Sequence, residues 1–377
     1  MTVDRLKGIS LSDGDSLAPY WQTHPVILER ALDVSILVPD TDTIIEILTE
    51  TDMPSRIFIG REGEEFSVEY GPFNQFTAPK KPWTVLIHAL EHLFPEYDQI
   101  RKSMSWLPHW RFEDCMLSWA SKDGSVGRHF DQFSVFLIQL NGCRAWEIGP
   151  KKTSATEMVA NQSIALVNPV APDTTWIAKP GDVLYLPPNV IHHGVSQDPD
   201  CMTLSIGFRA PDSLALLEAA LETCDQVSTT HRFNDPRRLQ TGGAGEILPE
   251  DLKEARATII RHLDEPGVME HIFATRVSAP YLDLDSNTEL AESEINLQFQ
   301  STTHWDLDPG CRMAYVNSTL YINGERIGDE TPAQIIQLAN TRSTQSSKLC
   351  ELDEFWLSNV RELIRTELLI PSENDRS

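Results

Sequence analysis

The chain has 377 residues, a hydrophobic content of 41% and a formal net charge of −25 at neutral pH. This length predicts two or three domains, and the composition is that of an ordinary globular protein. The charge argues against direct nucleic-acid binding, because phosphate contact needs a basic surface. It is compatible with a basic protein partner, and the alternative is an acidic surface that serves only solubility.

The sequence also bears on the cellular compartment. No apolar run approaches the roughly 18 residues of a membrane span, and the N-terminus lacks the apolar core of a signal peptide. The six cysteines are scattered without a C-x-x-C pair. This spacing favours free thiols in a reducing compartment over a zinc site or a disulfide framework. We therefore expect a cytoplasmic protein with no membrane association.

The first elements in chain order predict a mixed helical and extended region. Residues 41–48 carry the apolar spacing of a helix, and residues 55–59 and 66–70 have the composition of strands on either side of a charged turn. The apolar spacing of residues 83–94 predicts an amphipathic helix that ends near Pro95.

From about residue 111 to residue 209 the pattern changes to short apolar runs with turns between them. The predicted strands are residues 116–120, 135–140, 144–149, 175–178, 183–186 and 202–208. Asn141-Gly142 predicts that the second and third of these strands form a hairpin. Many short strands indicate a β-sandwich or barrel rather than an α/β sheet.

Helical periodicity returns after Pro211. Residues 212–224 and 249–263 are predicted helices, with a polar, glycine-rich loop at residues 229–245 between them. The acidic residues 283–294 are expected to form a linker or an exposed edge. A last small domain is predicted from strands at 313–316 and 320–322, a turn at Asn323-Gly324, and helices at 332–338 and 353–363.

The strongest chemical signal is His129-Phe130-Asp131 with a distant histidine, His192. Two residues apart on a strand, His129 and Asp131 would point to the same face. With His192 they would form the facial triad of a non-haem Fe(II) oxygenase, which leaves metal positions open for an oxidant and a co-substrate. A bare H-x-D pair is weak evidence, since it is commonly a chance match. Its combination with Pro187-Pro188-x-x-x-His192 in a strand-rich region is strong.

His193 is the alternative third ligand. We prefer His192 because of its spacing from Pro187-Pro188, and we expect His193 to face away if the strand continues there. The remaining nearby histidines are expected to be surface or hydrogen-bonded core residues: His24, His88, His92 and His109.

An oxygenase of this type needs an electron donor that chelates the metal. If the donor is 2-oxoglutarate, its far carboxylate needs a fixed cation, and Arg144 is the candidate because a guanidinium grips a carboxylate with two hydrogen bonds. The predicted hairpin would return Arg144 to the side of the ligand strand; the alternative is a surface salt bridge. Ser205 and Ser118 could add hydroxyl contacts to the co-substrate, although structural serines are an equal alternative.

These residues carry a resemblance to a known family. The sequence resembles the JmjC-type 2-oxoglutarate oxygenases of the ribosomal oxygenase group, most closely the bacterial ribosomal protein arginine hydroxylases. The matching motifs are Trp110-Arg111-Phe112-Glu113-Asp114, Gly127-x-His129-x-Asp131-Gln132, Val135-Phe136-Leu137-Ile138-Gln139, Arg144-x-Trp146, Pro180-Gly181-Asp182-Val183-Leu184-Tyr185-Leu186-Pro187-Pro188, His192 and Gly207-Phe208-Arg209-Ala210-Pro211.

The resemblance implies a mainly β architecture with flanking helices, in the α+β class. Residues 1–210 would form a double-stranded β-helix of the cupin or JmjC jelly-roll type with an N-terminal extension. Residues 211–280 would form a helical dimerisation segment, and residues 281–377 a winged-helix-like domain. A homodimer is therefore expected.

The resemblance also implies the chemistry. His129, Asp131 and His192 would bind Fe(II), and Arg144 would anchor 2-oxoglutarate, which is converted to succinate with consumption of O2. The substrate would be an arginine of a basic large-subunit ribosomal protein, hydroxylated at its β-carbon, and Asp114 or Asp123 could pair its guanidinium. The alternatives are hydroxylation of histidine, demethylation of another basic protein, or a non-catalytic metal-binding cupin.

The chain departs from the family pattern around the H-x-D motif. Residues 120–125 replace a loop richer in glycine, Arg128 stands where a proline is expected, and residues 140–143 also differ. We expect these departures to affect the choice of substrate more than the chemistry.

Overall fold

The computed structural model describes residues 3–160, 164–223, 231–235, 245–280 and 289–372. The chain divides into two compact units, Met1–Ala210 and Pro211–Ser377. Among the described residues, no helix is both long enough and apolar enough to cross a membrane.

The N-terminal unit is built mainly of strands. Its strands are β1 (Asp4–Lys7), β2 (Val26–Glu29), β3 (Ser55–Ile59), β4 (Ser67–Tyr70), β5 (Trp83–Ile87), β6 (Phe112–Ala120), β7 (Ser134–Asn141), β8 (Arg144–Lys151), β9 (Thr174–Ala178), β10 (Val183–Leu186), β11 (Val190–Ser196) and β12 (Cys201–Phe208). Its helices are α1 (Gly14–Leu17), α2 (Thr41–Glu50) and α3 (Pro95–Ser103), with 3-10 turns at Leu90–His92 and His109–Arg111.

These strands form a large and a small sheet. The large sheet has the order β1-β2-β10-β7-β12-β6-β5-β3-β4, and the small sheet has the order β11-β8-β9. Arg144 of the small sheet contacts Ser118 and Thr203 of the large sheet, so the two sheets face each other across a barrel interior. This is the expected double-stranded β-helix.

The two faces of the large sheet differ in chemistry. On β12, Met202, Leu204, Ile206 and Phe208 belong to the main apolar core. Because side chains alternate along a strand, Thr203, Ser205 and Gly207 occupy the opposite face, toward the small sheet. The polar residues of the barrel therefore come from one face of the strands.

The predicted helix at residues 83–94 is wrong. Residues 83–87 form β5, which pairs with β3 and β6 and is buried at every position. A nearly continuous apolar run fits a strand covered on both faces, and it also matches helical spacing because four of its five residues are apolar. Pro95 begins α3 rather than ending a helix, which is the position where its missing N–H costs least.

The predicted hairpin of β7 and β8 is also wrong. Both edges of β7 are already paired, one with β10 and the other with β12. The chain turns at Asn141-Gly142 and crosses to the small sheet, where β8 pairs with β11 and β9. Other predictions in this unit are confirmed, including α2 and the strands β3, β4, β10 and β12.

The C-terminal unit is mixed. Its helices are α4 (Ser213–Thr223), α5 (Pro249–Leu263), α6 (Val268–Ser278), α7 (Glu292–Ser301), α8 (Ala333–Thr341), α9 (Ser346–Leu349) and α10 (Glu354–Arg365). Its strands are β13 (His304–Leu307), β14 (Met313–Val316), β15 (Thr319–Ile322), β16 (Glu325–Gly328), β17 (Ser343–Gln345) and β18 (Leu369–Pro371).

An apolar core around the fully buried Trp305 joins α7, α8 and α10 to these strands, as in a winged-helix fold. The predicted turn at Asn323-Gly324 is confirmed, with both residues in the left-handed backbone region. The predicted loop at 229–245 lies largely outside the described residues. Part of the acidic stretch at 283–294 does too, and its end belongs to α7.

Candidate metal centre

The H-x-D motif lies in the loop between β6 and β7, so its predicted position on a strand is wrong. His129 forms an isolated β-bridge with His192 of β11. The carbonyl oxygen of Asp131 accepts a hydrogen bond from the N–H of Asn189 at 2.7 Å. Hydrogen bonds to β11 and to the turn before β11 therefore hold this loop in its conformation. The prediction had assumed that the motif lies within a strand.

The structure brings the three predicted ligand residues together. Ligand atoms of His129, Asp131 and His192 all lie within 4.8 Å of one another. The Nε2 atom of His129 lies 3.9 Å from Oδ1 of Asp131, and Nε2 of His192 lies 3.6 Å from Oδ2. Two nitrogens and one carboxylate on one side of a common point are the donor set that suits Fe(II).

Hydrogen bonds fix the tautomers of both histidines. Nδ1 of His129 lies 3.0 Å from the carbonyl oxygen of Gly127, and Nδ1 of His192 lies 3.0 Å from that of Val190. A carbonyl can only accept, so each Nδ1 carries the hydrogen and each Nε2 keeps its lone pair toward Asp131. Burial, followed by the nearby His129, lowers the pKa of His192 to about 4, which keeps this imidazole in its neutral, metal-binding form near neutral pH.

His193 faces away from Asp131, as expected. Its Nδ1 lies 3.4 Å from Glu62 and 3.7 Å from Glu147. Arg128 lies in the same cluster, donating from Nε to Glu62 at 3.1 Å and from Nη2 to Glu147 at 2.5 Å. In this ion-pair cluster the cationic groups are buried and the two carboxylates are partly exposed, and it joins the loop after β3 to β8 and to the loop that holds the H-x-D motif.

Arg144 is 3% exposed and lies inside the barrel. Its Nε donates to the hydroxyl of Thr203 at 3.0 Å, and its Nη2 donates to the hydroxyl of Ser118 at 3.2 Å. Within the described residues, no carboxylate pairs with this guanidinium. Burial lowers the pKa of Arg144, which shows that its charge is poorly solvated.

Arg144 is placed by the small sheet and not by the predicted hairpin with β7. Arg144 reaches the interior from the small sheet, where it pairs with Ser196 of β11, the strand that carries His192. Trp146 follows on the same face of β8, with its ring 6.0 Å from that of His192 and 5.9 Å from the guanidinium carbon. Arg144, Trp146 and His192 therefore line one wall.

The predicted serines differ in their contacts. Ser118 on β6 binds Arg144 directly. Ser205 is 5% exposed and occupies the same face of β12 as Thr203. The sequence interpretation missed Thr203, although a hydroxyl two residues before Ser205 on the same strand could have revealed it. The hydroxyl of Thr203 also donates to Oε1 of Gln139 at 3.0 Å, which orients it for Arg144.

The two carboxylates predicted to pair with the substrate guanidinium, Asp114 and Asp123, have different surroundings. Asp114 is buried, and its Oδ2 lies 2.7 Å from Nδ1 of His88. The Oδ1 atom of Asp114 and the ring of Phe133 both border Gly207, each 3.5 Å from the point where a Cβ would stand. The other acidic candidate, Asp123, is exposed and lies 3.5 Å from Arg61. Of these two carboxylates, Asp114 is the one on the polar side of the barrel.

Two families of known domains match the chain. The JmjC domain matches residues 99–216, and the ROXA-like winged helix matches residues 256–369. Among curated proteins, the chain is 28% identical over 325 residues to a probable ribosomal oxygenase of Haemophilus influenzae, covering 82% of this chain and 80% of the relative. It is 25% identical over 333 residues to the ribosomal protein uL16 3-hydroxylase of Escherichia coli, covering 85% of this chain and 86% of the relative.

Solved structures show the same fold. The X-ray structure of Escherichia coli YcfD is similar with a TM-score of 0.84 and 24% identity, covering 96% of this chain and 98% of the other. A second structure, YcfD as a ribosomal oxygenase in complex with cobalt and 2-oxoglutarate, is similar with a TM-score of 0.81 and 23% identity, covering 95% and 98%.

Proposed function

Since this chain belongs to the JmjC-type ribosomal oxygenases, with a JmjC domain followed by a ROXA-like winged helix, we propose that it hydroxylates the β-carbon of an arginine in a large-subunit ribosomal protein. The reaction consumes O2 and 2-oxoglutarate and yields the hydroxylated residue, succinate and CO2. The Escherichia coli relative is named for 3-hydroxylation of ribosomal protein uL16, and position 3 of an amino acid is its β-carbon. The buried guanidinium of Arg144 beside the triad of His129, Asp131 and His192 is the observation that carries the proposal.

The triad fits an Fe(II) ion. Both histidines present an unprotonated Nε2 toward the Asp131 carboxylate, and both are fixed by hydrogen bonds from the other ring nitrogen. When bound there, Fe(II) supplies the redox chemistry that couples O2 to oxidation of 2-oxoglutarate and of a C–H bond. The task of His129, Asp131 and His192 is to hold the ion by one face and leave the other side open to co-substrates.

Arg144 fits the distal carboxylate of 2-oxoglutarate. A buried cation without an anionic partner is costly, and a dicarboxylate that enters the barrel would compensate it with charge-assisted hydrogen bonds. Ser118 and Thr203 hold the guanidinium in place. Ser205 lies on the same face as Thr203, and we propose that its hydroxyl adds a contact to the bound co-substrate.

Asp114 is the carboxylate best placed for the guanidinium of the substrate arginine. It lies on the polar face of β6 with Ser118, and Phe133 follows the metal ligand Asp131 by two residues. Gly207 has no side chain to cover Oδ1 of Asp114, which lies 3.5 Å from the point where a Cβ would stand. A carboxylate suits a guanidinium, which can bind both of its oxygens or one of them with charge-assisted hydrogen bonds. The net charge of −25 would attract a basic substrate over longer distances.

The proposal extends to assembly and location. We keep the division into residues 1–210, 211–280 and 281–377, with the middle segment as the dimerisation region. On α4, Leu214, Leu217 and Leu221 are exposed by 63%, 55% and 76%, and a second copy of the chain would cover them. Light scattering of wild type and Leu217→Asp tests this, with a dimer expected for the first and a monomer for the second. Cytoplasmic location follows from a ribosomal protein substrate.

Mass spectrometry tests the reaction. The protein is incubated with Fe(II), 2-oxoglutarate and a peptide from the uL16 protein of the same organism. We expect the gain of one oxygen atom on an arginine, in step with succinate formation, and neither product with His129→Ala. An oxygen on histidine would indicate a histidyl hydroxylase, loss of a methyl group would indicate a demethylase, and absence of both products would favour a non-catalytic cupin.

A further inference from the structure

The turn after β5 is fastened to β6 at Asp114 and the residue that follows it. His88 is anchored by its N–H, which donates to the carbonyl oxygen of Pro54 at 2.9 Å, and its Nδ1 lies 2.7 Å from Oδ2 of Asp114. Glu91 accepts a hydrogen bond from the N–H of Cys115 at 2.8 Å. Ala89, between them, has φ of 58°, a backbone conformation that residues with a Cβ adopt at a cost. The turn is therefore held firmly against this part of β6.

Glu91 is a second carboxyl group in this cluster. Glu91 is 4% exposed, and burial, followed by the charge of Asp114, raises the pKa of Glu91 to about 8. Near neutral pH, Glu91 is thus mostly protonated, so it adds little negative charge beside Asp114. The neighbouring Glu113 is paired with Arg209, so it does not compete for the same hydrogen-bond donor.

The contact with His88 leaves the two oxygens of Asp114 in different surroundings. Oδ2 is occupied by Nδ1 of His88, which must carry the hydrogen because an ionised carboxylate can only accept. Oδ1 lies toward Gly207, 3.5 Å from the point where a Cβ of that residue would stand. The imidazole therefore fixes the rotation of the carboxylate plane, and with it the direction of the remaining acceptor.

We propose that His88 is a positioning residue for substrate recognition: it turns Oδ1 of Asp114 toward Gly207, on the polar face of the barrel, where the arginine guanidinium of the substrate binds. This inference rests on the proposed function, in which Asp114 receives that guanidinium. Recognition of a charged side chain depends on such supporting contacts, because a loosely held carboxylate loses the geometry of its hydrogen bonds. His88 acts through Asp114 and does not itself touch the substrate.

Peptide binding to the full-length protein tests the inference. The probes are a uL16 peptide with arginine and its twin with citrulline, which has nearly the same shape but no charge. Both are measured with 2-oxoglutarate and with Mn(II) in place of iron, so that no turnover occurs. For His88→Leu we expect Kd of the arginine peptide to rise about tenfold, the loss of one charge-assisted hydrogen bond, with little change for the citrulline peptide.

His88→Asn is the matched control. Its side-chain N–H can occupy roughly the position of Nδ1, so we expect the preference for arginine over citrulline to return. If His88 had only a structural role, His88→Leu would bind both peptides more weakly, by the same factor. Equal weakening of both peptides would overturn the positioning role of His88 while the proposed function stands. The same holds if His88→Leu prefers the arginine peptide over the citrulline peptide as strongly as wild type does. A wild-type protein that neither binds nor hydroxylates the arginine peptide overturns the proposed function and this inference with it.

Discussion

His129 and His192 are joined by two reciprocal backbone hydrogen bonds, from the N–H of each to the carbonyl oxygen of the other, at 3.0 and 2.8 Å. The centroids of their rings lie 4.2 Å apart. The backbone thus sets the distance between two ligands that are far apart in sequence. This arrangement favours a site that is formed before the metal binds, since little ordering is left to be done on binding.

Removal of a triad side chain should therefore abolish metal binding without unfolding the protein. For His129→Ala we expect the affinity for Fe(II), or for Co(II) as its substitute, to fall at least about 100-fold, because the neighbouring ligands cannot replace the lost nitrogen. Isothermal titration measures this. The matched control is His193→Asn, which should bind the metal like wild type because His193 faces Glu62 and Glu147. If both variants lost metal affinity equally, the choice of His192 rather than His193 as the third metal ligand would be refuted.

Arg144→Met should separate co-substrate binding from stability. We expect Kd of 2-oxoglutarate to rise about 10- to 100-fold, since the buried charge-assisted contacts disappear. The ligand-free variant should be at least as stable as wild type, because a buried cation without a carboxylate partner has been replaced by an apolar side chain. Thermal denaturation with and without 2-oxoglutarate checks both parts. Loss of stability without loss of 2-oxoglutarate binding would mean that Arg144 is structural.

Glu91→Gln should change the pH dependence of stability. The pKa of Glu91 is raised from 4.5 to about 8, so between these values the folded state binds the proton more tightly than the unfolded state. Stability is then lost as the pH rises through this range. Wild type should lose on the order of a few kcal/mol relative to Glu91→Gln between about pH 5 and about pH 8. Denaturation of both proteins across this range measures the difference, and parallel curves would contradict the shift.

Gly194→Ala should disturb the wall that carries His192. An added Cβ would lie 2.6 Å from a ring carbon of Trp146, and the Trp146 ring lies 6.0 Å from that of His192. We expect a loss of about 1–3 kcal/mol in stability and weaker metal binding, as overpacking forces Trp146 to move. Gly245→Ala is the control, because no atom of the described residues lies within 4 Å of its added Cβ. Similar results for the two variants would contradict the packing argument.

Sequence patterns indicated that His129, Asp131 and His192 come together, which the structure shows, but not which backbone holds them there. The spacing of His129 and Asp131 suggested a strand, whereas the loop depends on hydrogen bonds to His192 and Asn189, which are distant in sequence. Arg144 was assigned by residue type and resemblance, and the hairpin offered as its geometric reason does not exist. Asn141-Gly142 is a good local turn signal, but local signals cannot show that β7 has both edges occupied.

The contacts of His88 show a second limit of sequence patterns. The sequence offers no reason to connect it with Asp114, because the pair joins the residue after β5 to the beginning of β6 through tertiary structure alone. The same holds for residues 83–87, where burial on both faces of a sheet decided between helix and strand. Residue types predict chemistry well here, while pairing between distant segments decides where that chemistry is placed.

The most direct test of the central claim is the intact mass of the uL16 protein from cells with and without this gene. The protein from wild-type cells should carry one additional oxygen atom, which fragmentation should place on an arginine, and this atom should be absent when the gene is deleted or replaced by His129→Ala. An identical uL16 mass in all three strains, with no other ribosomal protein changed, would contradict it.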